Sequence, residues 1–169
     1  MTLSSWSIDD PPGRIGAGTQ DDPRLVVETW LAVPTADGWR LLMLRRAPNH
    51  GGFWQGVSGR VESFDASLRA AALREIREET GISDVVSLFD LGRWIDFQGF
   101  TRTHYRKRSL GAILPAGTGP ARVVLSDEHD AVEVVTFLEA RSRLRWEVNA
   151  EELAALERAL PAATGSADR

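Results

Sequence analysis

Cysteine is absent from the 169 residues. Disulfides, thiolate metal sites and cysteine nucleophiles are therefore all excluded. No run of about 18 apolar residues occurs, so no membrane-spanning helix is expected. Residues 1–10 contain neither a basic start nor an apolar stretch, which argues against a secretory leader. Positive charge is not in excess either. Lys and Arg number 20 against 24 Asp and Glu, for a net charge of -4. Broad electrostatic capture of DNA or RNA is disfavoured at that balance. These absences together set the expectation of a cytoplasmic protein with no membrane partner and no generic nucleic-acid partner. An acidic surface can still hold phosphates if it recruits cations.

Hydrophobic residues make up 43% of the chain, enough for a packed core, and the length suits one domain. Residues 1–22 are rich in Pro, Gly, Asp and Ser and read as a flexible arm, although Trp6 and Ile8 are apolar enough to dock. The expected domain spans 23–161, followed by a tail over 162–169. Two strands, 25–33 and 39–44, are separated by the turn sequence Pro34-Thr35-Ala36-Asp37-Gly38, and a short apolar strand covers 53–57. Over 66–80 the period changes. Leu68, Ala72 and Ile76 share one helical face and Gly81 is placed to end the helix. Strand patterns return at 85–97, 105–114 and 132–137. A closing helix follows over 147–160, with Asn149 as its candidate cap and Leu153, Leu156 and Leu160 at helical spacing. Strands interrupted by helices predict an α/β class with sheet packed between helices.

The chemistry concentrates at Gly59-Arg60-Val61-Glu62-Ser63-Phe64-Asp65 and Arg74-Glu75-Ile76-Arg77-Glu78-Glu79-Thr80-Gly81-Ile82. Glu75, Glu78 and Glu79 stand at i, i+3 and i+4, so their carboxylates crowd one side of the helix. Two carboxylates about 4 Å apart repel by about 4 kcal/mol at an effective dielectric near 20. A divalent cation reverses the sign of that energy, and magnesium favours such oxygen donors together with phosphate oxygens. A solvated face in which Arg74 and Arg77 pair with the three glutamates is the competing explanation.

The stretch resembles the Nudix box: a glycine, five residues, Glu, seven residues, Arg-Glu, an aliphatic residue, any residue, Glu-Glu, any residue, Gly and an aliphatic residue. Residues 74–82 match throughout. The first half departs. Counted back from Arg74, the single Glu falls on Ala66 and the glycine on Arg60. Gly59 fits if the segment has gained one residue, and Asp65 then stands where the Glu is missing. The resemblance implies a Nudix-type α/β/α sandwich with a mixed sheet, and hydrolysis of a diphosphate linkage in a small phosphorylated substrate. It implies magnesium, with manganese as a substitute, held by Glu75, Glu78, Glu79 and the carbonyl of Gly59.

Further along, Gly52-Phe53-Trp54-Gln55 and Asp127-Glu128-His129 are similar to the dihydroneopterin triphosphate diphosphatase branch, which also acts on nucleoside triphosphates. That likeness adds Glu128 as a catalytic carboxylate. Catalytic candidates are thus Glu75, Glu79, Glu128 and Arg74, with the general base left open between Glu79 and Glu128. Arg45, Arg46 and Trp54 are the substrate-binding candidates. The two arginines alternate along a strand, so one of them faces the phosphates, and Trp54 competes with a place in the core. The basic run over 101–108 reads as a solvated edge strand or a phosphate guide. Alternatives are action on RNA 5' ends or dinucleoside polyphosphates, or a non-catalytic Nudix-like binding module. A second copy of the chain, as a homodimer, is the one protein partner left open.

Overall fold

The computed structural model describes residues 6–161, so the expected tail over 162–169 lies outside the described residues. The elements run β1 (Arg24–Thr35), β2 (Gly38–Arg46), β3 (Trp54–Gln55), β4 (Val57–Arg60), α1 (Leu68–Thr80), β5 (Ser87–Gln98), β6 (His104–Ile113), β7 (His129–Val135), α2 (Phe137–Arg143) and α3 (Glu147–Ala159). One mixed, seven-stranded sheet follows the order β3-β2-β1-β6-β5, with β4 joined to β1 and β7 to β2. Among the described residues, only β1 and β6 pair in parallel. Helices cover both faces, making the expected α/β/α sandwich. No helix among the described residues is long and apolar enough to cross a membrane.

Alternation along β1 explains the two layers. Leu25, Val27, Leu31 and Val33 face α1 and pack with Leu68, Ala72 and Ile76. Trp30 and Ala32 face the other way and pack with Phe137, Leu153 and Leu156 of α2 and α3. The α1 helix begins at Ser67, whose hydroxyl accepts from the Ala70 amide, and ends at Gly81 in the left-handed region (φ 71°).

Several expectations need correction. Residues 6–22 are packed onto the domain rather than loose: Ile8 is buried, its carbonyl accepts from the Arg69 amide, and Asp9 pairs with Arg69. The segment read as one strand over 53–57 is divided between β3, which pairs with β2, and β4, which pairs with β1. The α2 helix was not anticipated, although Thr136 and Glu139 form a reciprocal capping box. Asn149 is not a cap. It is buried and donates to Glu152 at 2.7 Å. The basic run is not an edge strand, because β6 lies between β1 and β5. Lys107 is buried between Glu28 and Glu152, and Arg108 is buried against Asp90. Paired charges of this kind hold position in a low-dielectric interior.

Candidate active site

The box glutamates are positioned by β4 and α1. Gly59 sits on β4 facing α1, and a Cβ added there would lie 1.9 Å from the Glu75 carboxyl carbon. Only glycine lets the Glu75 carboxylate come this close to the strand. The preceding turn is held by Asp65. Its carboxylate takes Arg74 Nε at 3.0 Å and Nη2 at 2.8 Å, together with the Glu62 amide at 2.8 Å. Burial pushes the Asp65 carboxyl up, but the hydrogen bonds from Arg74 and the Glu62 amide outweigh it and hold the group below the usual aspartate range. Asp65 thus ties the turn to Arg74 on the helix.

Arg74 does more than hold Asp65. Its Nη1 donates to Glu75 at 2.6 Å and to Glu78 at 3.1 Å, and its Nη2 donates to the Arg60 carbonyl at 2.8 Å. These bonds occupy the guanidinium on the protein, tying turn, strand and helix together. With Glu75 and Glu78 drawn toward Arg74, no three acidic or histidine side chains among the described residues converge on one point.

Glu79 is buried among charges of its own sign. It is 5% exposed, and its Oε2 has no hydrogen-bond partner among the described residues. Burial, with the charges of Glu75 and Glu128 added, pushes its carboxyl up to about 8 against the opposing pull of Arg46 and the Ser58 amide. His129 Nε2 lies 3.8 Å away, yet burial and the Arg46 charge depress that imidazole to about 4. The neutral ring is therefore a neighbour of Glu79 and not its counter-ion. A buried carboxylate oxygen without a partner, under the charges of Glu75 and Glu128, fits a hard divalent cation.

Glu128 reaches the same place from the loop before β7. It is half-exposed and accepts from Arg46 Nη2 at 2.9 Å, while its carbonyl accepts from the Ala47 amide at 2.8 Å. One cleft of about 440 Å³ is lined by Arg46, Gly59, Arg74, Glu75, Glu78, Glu79 and Glu128. Arg45 and Trp54 lie outside it. Arg45 pairs with Asp130, and the Trp54 ring, stacked under Arg143 at 4.9 Å, packs beside the core under α2 and α3. Alternation along β2 therefore turned Arg46, and not Arg45, into the cleft. Arg60, Glu62, Phe97 and Tyr105 also line it and were not singled out as site residues from the sequence, because nothing local marks which side of a strand borders a cleft.

The NUDIX domain model matches residues 27–156. The chain is 36% identical over 111 residues to an octanoyltransferase of Myxococcus xanthus, covering 64% of this chain and 29% of that protein. It is 34% identical over 83 residues to the dihydroneopterin triphosphate diphosphatase of Escherichia coli K12, covering 47% of this chain and 54% of the relative. The chain thus spans no more than about half the length of these curated relatives. Its fold is similar to the structure of the E. coli dihydroneopterin triphosphate pyrophosphohydrolase, with a TM-score of 0.65 at 24% identity, covering 80% of this chain and 96% of that one.

Proposed function

Because the chain belongs to the NUDIX domain family, we propose that it hydrolyses a diphosphate linkage in a nucleotide-like substrate, a nucleoside triphosphate or dihydroneopterin triphosphate. The observation that carries this reading is Glu79, whose buried, unpartnered oxygen adjoins Glu75 and Glu128 in an open cleft. Glu75, Glu78, Glu79 and the Gly59 carbonyl would hold the divalent ion, magnesium or manganese. When bound, that ion supplies neutralisation of phosphate charge and a lowered pKa for water.

The protein's own groups account for the remaining work. Water oxygen forms a bond to phosphorus as the bridging P–O bond breaks, and the severed phosphate leaves with the bridging oxygen. A carboxylate takes the proton of the attacking water. Glu128 stands at the mouth of the cleft, half-exposed, where it can reach water, whereas Glu79 is buried at its floor. We assign the proton to Glu128. Arg46 orients Glu128 and presents positive charge to the phosphates. Arg74 is a positioning residue, since its donors are engaged by Asp65, Glu75, Glu78 and the Arg60 carbonyl.

The test is a panel of nucleoside triphosphates, dinucleoside polyphosphates and dihydroneopterin triphosphate, followed by release of phosphate or diphosphate with magnesium and with excess chelator. Magnesium-dependent turnover of a triphosphate substrate is expected. Turnover that persists in chelator overturns the metal assignment. A panel with no turnover at all overturns the enzymatic reading in favour of a binding module.

A further inference from the structure

The cleft is not uniform. Its carboxylate end is polar throughout, but at the other end two aromatic rings, Phe97 of β5 and Tyr105 of β6, line the same space with Val26. The rings are direct cross-strand partners and stack with centroids 5.3 Å apart and planes inclined by 25°. Phe97 is 42% exposed. Next to the pair, Gly99 lacks a side chain where a Cβ would meet the Tyr105 ring at 2.8 Å, so the hairpin end leaves room for that ring.

Strand register sets where this pair stands relative to the glutamates. Val26 is paired with Arg60 on one side and Lys107 on the other. Tyr105 lies two residues from Lys107, so Arg60, Val26, Tyr105 and Phe97 project from one face of the sheet. Gly59 faces the opposite way, toward Glu75 on α1. The cleft therefore bends round β4, with Arg60 at the bend. The Arg60 side chain is 58% exposed, and its one ion pair among the described residues, to Glu62, is long at 3.8 Å. About two strand spacings, roughly 10 Å, separate β4 from β6.

A cross-strand aromatic pair can serve only to stabilise a hairpin. Here that role leaves an apolar surface exposed inside an otherwise charged cleft, where it stays in contact with water unless something flat covers it.

We propose that Tyr105 and Phe97 form a stacking platform for a flat heteroaromatic ring, a nucleobase or a pterin, whose phosphate chain runs past Arg60 to the glutamates. The platform gives the substrate two chemically distinct ends and takes the role the sequence assigned to Trp54. It rests on the reading of the glutamate end as the phosphate site.

Tyr105 is the only tyrosine in the chain, so selective ring-13C labelling reports on it alone. The full chain is titrated in chelator with guanosine, cytidine and neopterin, none of which carries phosphate. It is also titrated in magnesium with a methylene-bridged guanosine triphosphate analogue and with inorganic tripolyphosphate. A saturable upfield ring-current shift of Tyr105 is expected with at least one ring-bearing probe and none with tripolyphosphate. Which free ring shifts it separates nucleobase from pterin. Base stacking on an aromatic side chain corresponds to about 5- to 150-fold in affinity. Phe97→Leu, checked for an unchanged melting temperature, should weaken the ring-bearing analogue by at least about fivefold and leave tripolyphosphate unaffected. Tripolyphosphate binding without any Tyr105 shift from the ring-bearing probes overturns the platform alone. Equal weakening of analogue and tripolyphosphate in Phe97→Leu does so too. Tyr105 shifts without magnesium-dependent binding of either polyphosphate leave the platform standing and overturn the phosphate site. Silence from every probe overturns both.

Discussion

Asp65 and Arg74 meet through two hydrogen bonds, at 3.0 and 2.8 Å, across a turn that is one residue longer than the family pattern. The guanidinium is clamped between turn and helix, since it also donates to Glu75 and Glu78.

Removing Asp65 leaves a mostly buried arginine short of its main partner. Asp65→Asn should destabilise the protein by roughly 3 kcal/mol, the lower end for a broken buried pair, because Arg74 keeps Glu75, Glu78 and the Arg60 carbonyl. The folded Asp65 carboxyl lies below the ordinary aspartate value of about 3.9. Its stabilisation is therefore complete above that value and is lost as pH falls through the folded one. Melting temperatures of wild type and Asp65→Asn should differ most at neutral pH and converge below about pH 4. A constant gap across the acid range would show that Asp65 is not the titrating partner.

Gly59→Ala places a methyl group where the Glu75 carboxylate lies, 1.9 Å from its carboxyl carbon. Glu75 is the end of a flexible side chain and can swing away, so stability should change by less than about 1 kcal/mol. Displacing the carboxylate by about an ångström should lower turnover about 100-fold. Thermal melts alongside steady-state kinetics separate the two effects. Wild-type turnover would mean that Glu75 need not approach β4.

Glu128→Gln keeps the shape and the ability to bond Arg46 but cannot take a proton. Loss of a general base costs about 100-fold or more in turnover. A half-exposed side chain should leave the melting temperature nearly unchanged. Turnover within about twofold of wild type would return the proton to Glu79.

Glu79 separates stability from metal binding. With its folded carboxyl raised to about 8, Glu79 costs stability as pH rises above the ordinary glutamate value, because the unfolded chain ionises there first, and glutamine of the same shape removes that cost. Without metal, Glu79→Gln should melt at or above the wild-type temperature. Magnesium stabilises whichever state binds it, so millimolar magnesium should raise the melting temperature of wild type and not of Glu79→Gln. Equal magnesium shifts in the two proteins would remove Glu79 from the ion's ligands.

The parts of this protein readable from the sequence are those set by local periodicity. The α1 helix was legible because Leu68, Ala72 and Ile76 repeat at helical spacing and Gly81 adopts the left-handed turn that ends it. The same period places Glu75, Glu78 and Glu79 on one side before any tertiary contact is known. Asp65 could be picked out by counting residues back from Arg74. A sheet between helices followed from alternating strand and helix patterns, and its mixed character from the resemblance to the Nudix family.

Contacts between distant segments were decided only in three dimensions. Whether Arg45 or Arg46 enters the cleft depends on which face of β2 adjoins the β7 loop, and pairing of β2 with β7 chose Arg46. The basic run of β6 looked solvent-facing because charge is usually exposed. Its partners Glu28, Asp90 and Glu152 lie 18 to 79 residues away, and sequence spacing does not encode such pairings. Asn149 had the residue type of a cap, but packing of α3 turned it inward to Glu152. Phe97 and Tyr105 meet through a cross-strand register whose bulge between Asp90 and Arg93 no local pattern announces. Local chemistry determined the carboxylate ladder, and tertiary packing decided what faces it.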